Sequence, residues 1–136
     1  MELEQQLASV PLLAGLSERT RRRLAEVGKR RTYGADETIV KEGSTGTALY
    51  IVLSGTARVE REGAPLGRLT AGDFFGELAL IEEHPRSATV VAVEPTECLL
   101  FPAWEFTALL NEHPEVAVPI MRALIGRLHR REHHGA

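Results

Sequence analysis

Cysteine is nearly absent from this 136-residue chain, and the single thiol, Cys98, leaves no means of building an intrachain disulfide framework. It stands between Glu97 and Leu99 in an apolar segment and reads as a buried thiol. No apolar run reaches the roughly 18 to 20 residues of a membrane span, and the acidic start is unlike a secretion signal. These absences predict a cytoplasmic protein. Excess positive charge is missing as well: the formal net charge is -3, which gives no global field to draw in nucleic acid. All five histidines lie outside the expected strands, and no carboxylate or cysteine spacing beside them suggests a metal site. Nor does a nucleophile stand beside a positioned base, so an enzyme is disfavoured.

What is present is one domain's worth of chain, 43% apolar, with no repeat or low-complexity segment. Helical spacing of Leu3, Leu7 and Val10 predicts a helix over 2–10, ended by Pro11. Leu12, Leu13 and Leu16 form a tucked apolar turn. Ser17 is a good N-cap for a second helix running to about residue 29. The arginines of that region, and those near the C-terminus, read as solvated helix faces. From residue 31 to 102 the chain is cut into short β-prone runs by glycine-containing turns, among them Glu42 to Gly46 and the hairpin turn Glu62-Gly63. The pattern predicts a mainly β fold, an antiparallel β-roll or jelly-roll of about eight strands. Helices return over 103–133, with Trp104, Phe106, Leu109 and Leu110 offered for packing. Further along, Ile120, Leu124 and Leu128 form an apolar stripe, flanked by Met121 and Ile125.

Residues 74–90 carry the chemistry. Phe74 and Phe75 are strand-like, and Gly76 breaks the run without a Cβ to block close approach. Glu77 to about Ile81 can form a short helical turn whose free amides point at one spot, an anion nest. Arg86 can add a two-pronged bond to a phosphate, and Ser87 a hydroxyl and an amide. Ala88 and Val90 should alternate with Ser87 and Thr89, one face packing and the other lining the site. Glu77 would repel an anion unless it also met a hydroxyl group. A ribose bearing a phosphate meets that need. Leu69, Leu78, Leu80 and Ile51 stand as the apolar wall. The plainer reading pairs Glu77 with Arg86 as a surface ion pair, worth about 0 to 1 kcal/mol.

Phe75-Gly76-Glu77-Leu78-Ala79-Leu80 followed by Pro85-Arg86-Ser87-Ala88-Thr89-Val90 resembles the phosphate-binding cassette of cyclic nucleotide-binding domains. The likeness extends to Val10-Pro11-Leu12-Leu13, Lys41-Glu42-Gly43, Leu49 through Gly55 and Ala71 through Gly76. It implies a single domain over 1–136, with helices over 1–30, a β-roll over 31–102 containing a cassette at 75–90, and lid helices over 103–133. By the same resemblance Arg86 pairs with the cyclic phosphate and Glu77 accepts from the ribose 2′-OH. Gly76, the Leu78 and Ala79 amides, Ser87 and Ala88 complete the phosphate cage. The last helix offers no aromatic cap for the base, so Leu124, Arg127 or Leu128 is left to cover it, with Leu69 in the apolar wall. Serine at position 87, as in bacterial cAMP activators, favours cAMP over cGMP; no metal is implied.

The expected function is a sensor whose last helix shifts on ligand binding and signals to an effector protein or a fused domain. The C-terminal stripe also allows a homodimer. The alternative is an interaction or oligomerisation domain that keeps the fold and binds no nucleotide. No DNA-binding module follows the last helix, and the start at Met1 favours a single-domain receptor over an excised piece.

Overall fold

The computed structural model describes residues 3–76 and 85–133, apart from the side chains of residues 127, 128 and 130–133. The chain divides into two compact units: Val27–Thr107 forms one, and Met1–Glu26 with Ala108–Ala136 forms the other.

The first unit is the expected antiparallel β-roll. Its strands are β1 (Lys29–Tyr33), β2 (Thr38–Val40), β3 (Ala48–Ser54), β4 (Thr56–Arg61), β5 (Ala64–Thr70), β6 (Phe74–Phe75), β7 (Thr89–Ala92) and β8 (Thr96–Pro102). They make two four-stranded sheets, ordered β1-β8-β3-β6 and β2-β7-β4-β5. A cluster of Tyr33, Ile39, Tyr50, Val52, Ala57, Leu69, Phe75, Val90, Ala92 and Cys98 draws on both sheets. Burial pushes the Cys98 thiol up to about 12, with Glu97 adding to the shift. Burial likewise raises Tyr33 to about 12, with Tyr50 adding to the shift and Arg31 opposing it.

The β4–β5 hairpin turns on two residues, with Arg61 opposite Ala64. Glu62 and Gly63 both have positive φ, 52° and 81°, the mirror-image turn that suits the twist of a hairpin. A glutamate there carries a steric cost of about 1 kcal/mol. Gly55, at φ 92°, is required more strictly, because a Cβ would lie 2.5 Å from the Pro95 carbonyl oxygen.

The second unit holds α1 (Leu3–Ala8), α2 (Glu18–Val27, all but its last residue) and α4 (Ala117–His133), the last preceded by a single 3-10 turn at Pro114–Val116. Helix α3 (Ala103–Glu112) begins in the β unit and ends in this one. Leu12, Leu13 and Leu16 are buried as their pattern implied. Ser17 caps α2, its hydroxyl accepting from the Thr20 amide at 3.2 Å. Arg21 joins the first two helices, 3.3 Å from Glu4.

Several expectations are corrected. Helix α1 stops at Ala8, not residue 10: the Ser9 hydroxyl and amide both turn back to the Gln6 carbonyl, and Pro11 prevents continuation. Helix α2 ends at Val27, and Lys29 to Arg31 belong to strand β1 rather than a solvated helix face. Gly28 makes the change of direction tight, since a Cβ would lie 2.8 Å from Leu99. Strand β7 starts at Thr89, two residues later than expected for Ser87, because the preceding backbone bonds to a loop. Trp104 is 70% exposed and packs little, while Phe106 is buried edge-on to Phe101. Along α4, Ile120 is buried and Leu124 half-buried, yet Met121 and Ile125 are exposed. Among the described residues no helix is long and apolar enough to cross a membrane.

Candidate functional site

Arg86 is the side chain around which the described part of the site is built. Its backbone is tied down first: its amide donates to the Ser44 carbonyl at 2.9 Å, and its carbonyl accepts from the Gly43 amide at 2.8 Å. A bridge between Thr45 and Pro85 precedes this pair. The residue after a proline therefore leaves the loop with its direction fixed before β7 begins.

The guanidinium is fixed by different means. Nη2 donates to the Ala48 carbonyl at 3.1 Å, and the group lies 5.6 Å from the centre of the Tyr50 ring. Tyr50 itself stacks on Phe75, ring centres 4.7 Å apart and nearly parallel. Phenylalanine, tyrosine and guanidinium thus form three layers, the ring face attracting the cation. Two glycines close the sides. At Gly46 a Cβ would lie 2.6 Å from Nε and Nη2 of Arg86; at Gly76, where φ is 82°, it would lie 2.5 Å from Nη1 and 2.6 Å from the Ala48 carbonyl oxygen. Gly76 therefore meets two demands at once, a left-handed backbone and room for the guanidinium.

Among the described residues, this cradle holds the charge without cancelling it. A carbonyl and an aromatic face orient the cation but carry no formal negative charge. Among the described residues no carboxylate lies within ion-pair distance of Arg86. A half-buried, pre-oriented guanidinium with donors that no described residue takes up is suited to a two-pronged bond with an oxyanion.

The expected site residues divide into four groups. Gly76, Arg86, Ser87 and Ala88 share this corner of the β unit. Ser87 is exposed, Ala88 half-buried, and the Ser87 carbonyl accepts from Arg61 Nε at 2.9 Å. Leu69 is buried in the same hydrophobic cluster as Tyr50 and Phe75. Leu124 and Arg127 belong to the other unit, and the Arg127 side chain is not among those described. Glu77, Leu78, Ala79 and Leu80, with the short helix expected over them, lie outside the described residues. The alternative reading, an ion pair of Glu77 with Arg86, falls outside the described residues as well.

Two expectations need correction here. Ile51 does not face the inner cluster: strand alternation sets Tyr50 and Val52 there and sends the fully buried Ile51 to the other face. The Thr89 hydroxyl does not line an open face, since it accepts from the Glu42 amide at 2.9 Å. Sequence reasoning missed Tyr50, Gly46, Glu42 and Arg61. For Tyr50 the signal was present, because alternation through β3 pairs it with Ala48 and Val52. For the others no local pattern reports a contact with residues about 26 to 47 positions away. Among the described residues there is no group of three histidine, cysteine or acidic side chains able to hold a metal.

Comparison with known proteins gives this arrangement its class. The sequence model of the cyclic nucleotide-binding domain matches residues 30–113. The chain belongs to the cyclic nucleotide-binding domain family. It is 35% identical over 114 residues to cGMP-dependent protein kinase, isozyme 1, of Drosophila melanogaster, covering 78% of this chain and 15% of that protein. It is 39% identical over 92 residues to the cAMP-dependent protein kinase regulatory subunit of Debaryomyces hansenii, covering 67% of this chain and 20% of that protein. The catabolite activator protein of Thermus thermophilus has a similar structure, with a TM-score of 0.82 at 35% identity, over 91% of this chain and 61% of that one. This chain thus spans a fifth or less of the two kinase-type relatives.

Proposed function

We propose that the chain, as one domain over residues 1–136, is a cyclic nucleotide receptor that signals rather than catalyses. The observation that carries this reading is the guanidinium of Arg86, held between Tyr50, Ala48, Gly46 and Gly76 and paired with no carboxylate among the described residues. Arg86 takes the cyclic phosphate in a two-pronged bond. Ser87, Ala88 and Gly76 line the cage, with the Leu78 and Ala79 amides, and Glu77 accepts from the ribose 2′-OH. Leu69, Leu124 and Arg127 cover the base. Helix α4 changes position on binding and passes the signal to an effector protein or a fused domain in the cytoplasm. The exposed Val118, Met121 and Ile125 on α4 favour a protein contact for that step, a second copy of the chain included.

The ligand is cAMP in preference to cGMP, a reading that rests on the serine at position 87. Isothermal titration of the chain with each nucleotide tests it. The expected result is binding of both, cAMP the tighter. Affinity for cGMP more than about tenfold higher, equivalent to about 1.4 kcal/mol, overturns the preference. No binding of either overturns the receptor reading and leaves the fold as an interaction domain.

A further inference from the structure

Two side chains outside the expected cage tie its Arg86 wall to a neighbouring hairpin. At the tip of β4–β5, Arg61 Nε donates to the Ser87 carbonyl at 2.9 Å. One residue on, the Glu62 amide donates to Glu42 Oε1, also at 2.9 Å. Glu42 in turn begins the loop that grips Arg86. Its own amide donates to the Thr89 hydroxyl, while Gly43 and Ser44 hold the Arg86 carbonyl and amide. The hairpin tip therefore fastens both straps of one buckle, the loop containing Glu42 to Gly46 and the segment from Pro85 to Thr89.

We infer that Glu42 and Arg61 are positioning residues for Arg86 and Ser87, setting ligand affinity without touching the ligand. The proposal rests on the receptor reading for its ligand half only. Three features support it. The turn holding Glu62 has a positive φ of 52° for a non-glycine residue, and the amide so presented goes to Glu42. Both contacts are charge-assisted, one with a charged donor and one with a charged acceptor. Arg61 is exposed, so its role is not to fill the core.

The test uses the whole chain as wild type, Arg61→Ala, Glu42→Ala, the double variant and Arg61→Lys. Amide hydrogen exchange at Gly43 and Arg86 is measured without ligand, and cAMP association and dissociation rates are measured by stopped flow. In each alanine variant, exchange at those two amides should rise about tenfold while amides of β3 and β8 stay protected. The cAMP dissociation rate should rise about five- to tenfold with little change in association, as for loss of a charge-assisted hydrogen bond. The double variant should be little worse than the more affected single variant, because both open the same buckle. Lysine at position 61 can still donate to the carbonyl and should restore most of both signals.

Unchanged exchange at Gly43 and Arg86 in the alanine variants overturns the proposal, whatever happens to affinity. A loss confined to the association rate and abolished by salt also overturns it, since Arg61 would then be a steering charge. If wild type binds no cAMP, the receptor reading fails, and the exchange data alone decide whether the buckle exists.

Discussion

The Arg86 corner and helix α4 are built on opposite principles. At the corner, polar groups of three segments are spent on each other: amides, carbonyls, a carboxylate and a guanidinium fix about a dozen residues of loop. Along α4, Ile120 is buried, while Val118, Met121 and Ile125 stand exposed on a helix with apolar surface left over. A site that must recognise a small anion needs fixed geometry, because hydrogen bonds are lost over fractions of an ångström. A surface that must accept a partner needs unspent apolar area instead. On the proposed reading, the first holds the ligand and the second carries the message.

The sharpest way to break this contrast is at Gly76. Gly76→Ala places a methyl where the guanidinium and the Ala48 carbonyl already meet, in a backbone region that disfavours a side chain. Cyclic nucleotide affinity should fall at least about thirtyfold, or about 2 kcal/mol, by isothermal titration. An unchanged affinity would mean that the cradle is not part of the site.

A smaller effect is expected at the Tyr50 layer. Tyr50→Leu removes the ring face beneath Arg86 and should weaken binding by about 0.5 to 2 kcal/mol, whereas Tyr50→Phe keeps the face and should bind nearly as wild type. Equal losses in the two variants would point to the hydroxyl and not the ring.

The interior of the β unit predicts an alkaline limit. Cys98 and Tyr33 are raised in the folded chain, from 9.0 and 10.0 respectively, each to about 12. Between about pH 9 and 12 the unfolded chain releases protons that the folded chain keeps. Stability contributed by these groups is full below pH 9 and falls as pH rises through that window. Urea midpoints measured from pH 8 to 11 should decline, and Cys98→Ala with Tyr33→Phe should flatten the decline. A flat wild-type profile would contradict the burial of both groups.

The smallest effect belongs to α4. Met121→Ser with Ile125→Ser should alter stability by no more than about 0.5 kcal/mol per substitution, while Ile120→Ala should cost about 2 to 5 kcal/mol. If the exposed pair proved as costly as Ile120, α4 would be covered and the contrast with the Arg86 corner would vanish.

These differences follow what a sequence can show. The β-roll was legible because glycine turns and period-two runs are local features, as at the Glu62-Gly63 hairpin. Arg86 and Gly76 were legible as residue types in a spaced motif. Tyr50 was readable in part, since alternation fixes its face but not the cation above it. The partners of Glu42 and Arg61 were not legible, because a hydrogen bond between loops depends on strand register and turn geometry rather than local pattern. Trp104 misled for a related reason: its size marks it for burial, but its position at the start of α3 leaves it 70% exposed. The strand at Lys29 to Arg31 was hidden by residues that are as common on helix faces as on edge strands.

The most direct test of the central claim is titration of cAMP into wild type, Arg86→Ala and Arg86→Lys. The cradle presents a flat, oriented guanidinium, so Arg86→Ala should lose about 2 to 5 kcal/mol of binding free energy. Lysine, which cannot form the two-pronged bond, should recover little of it. Arg86→Ala binding cAMP as tightly as wild type would contradict the account.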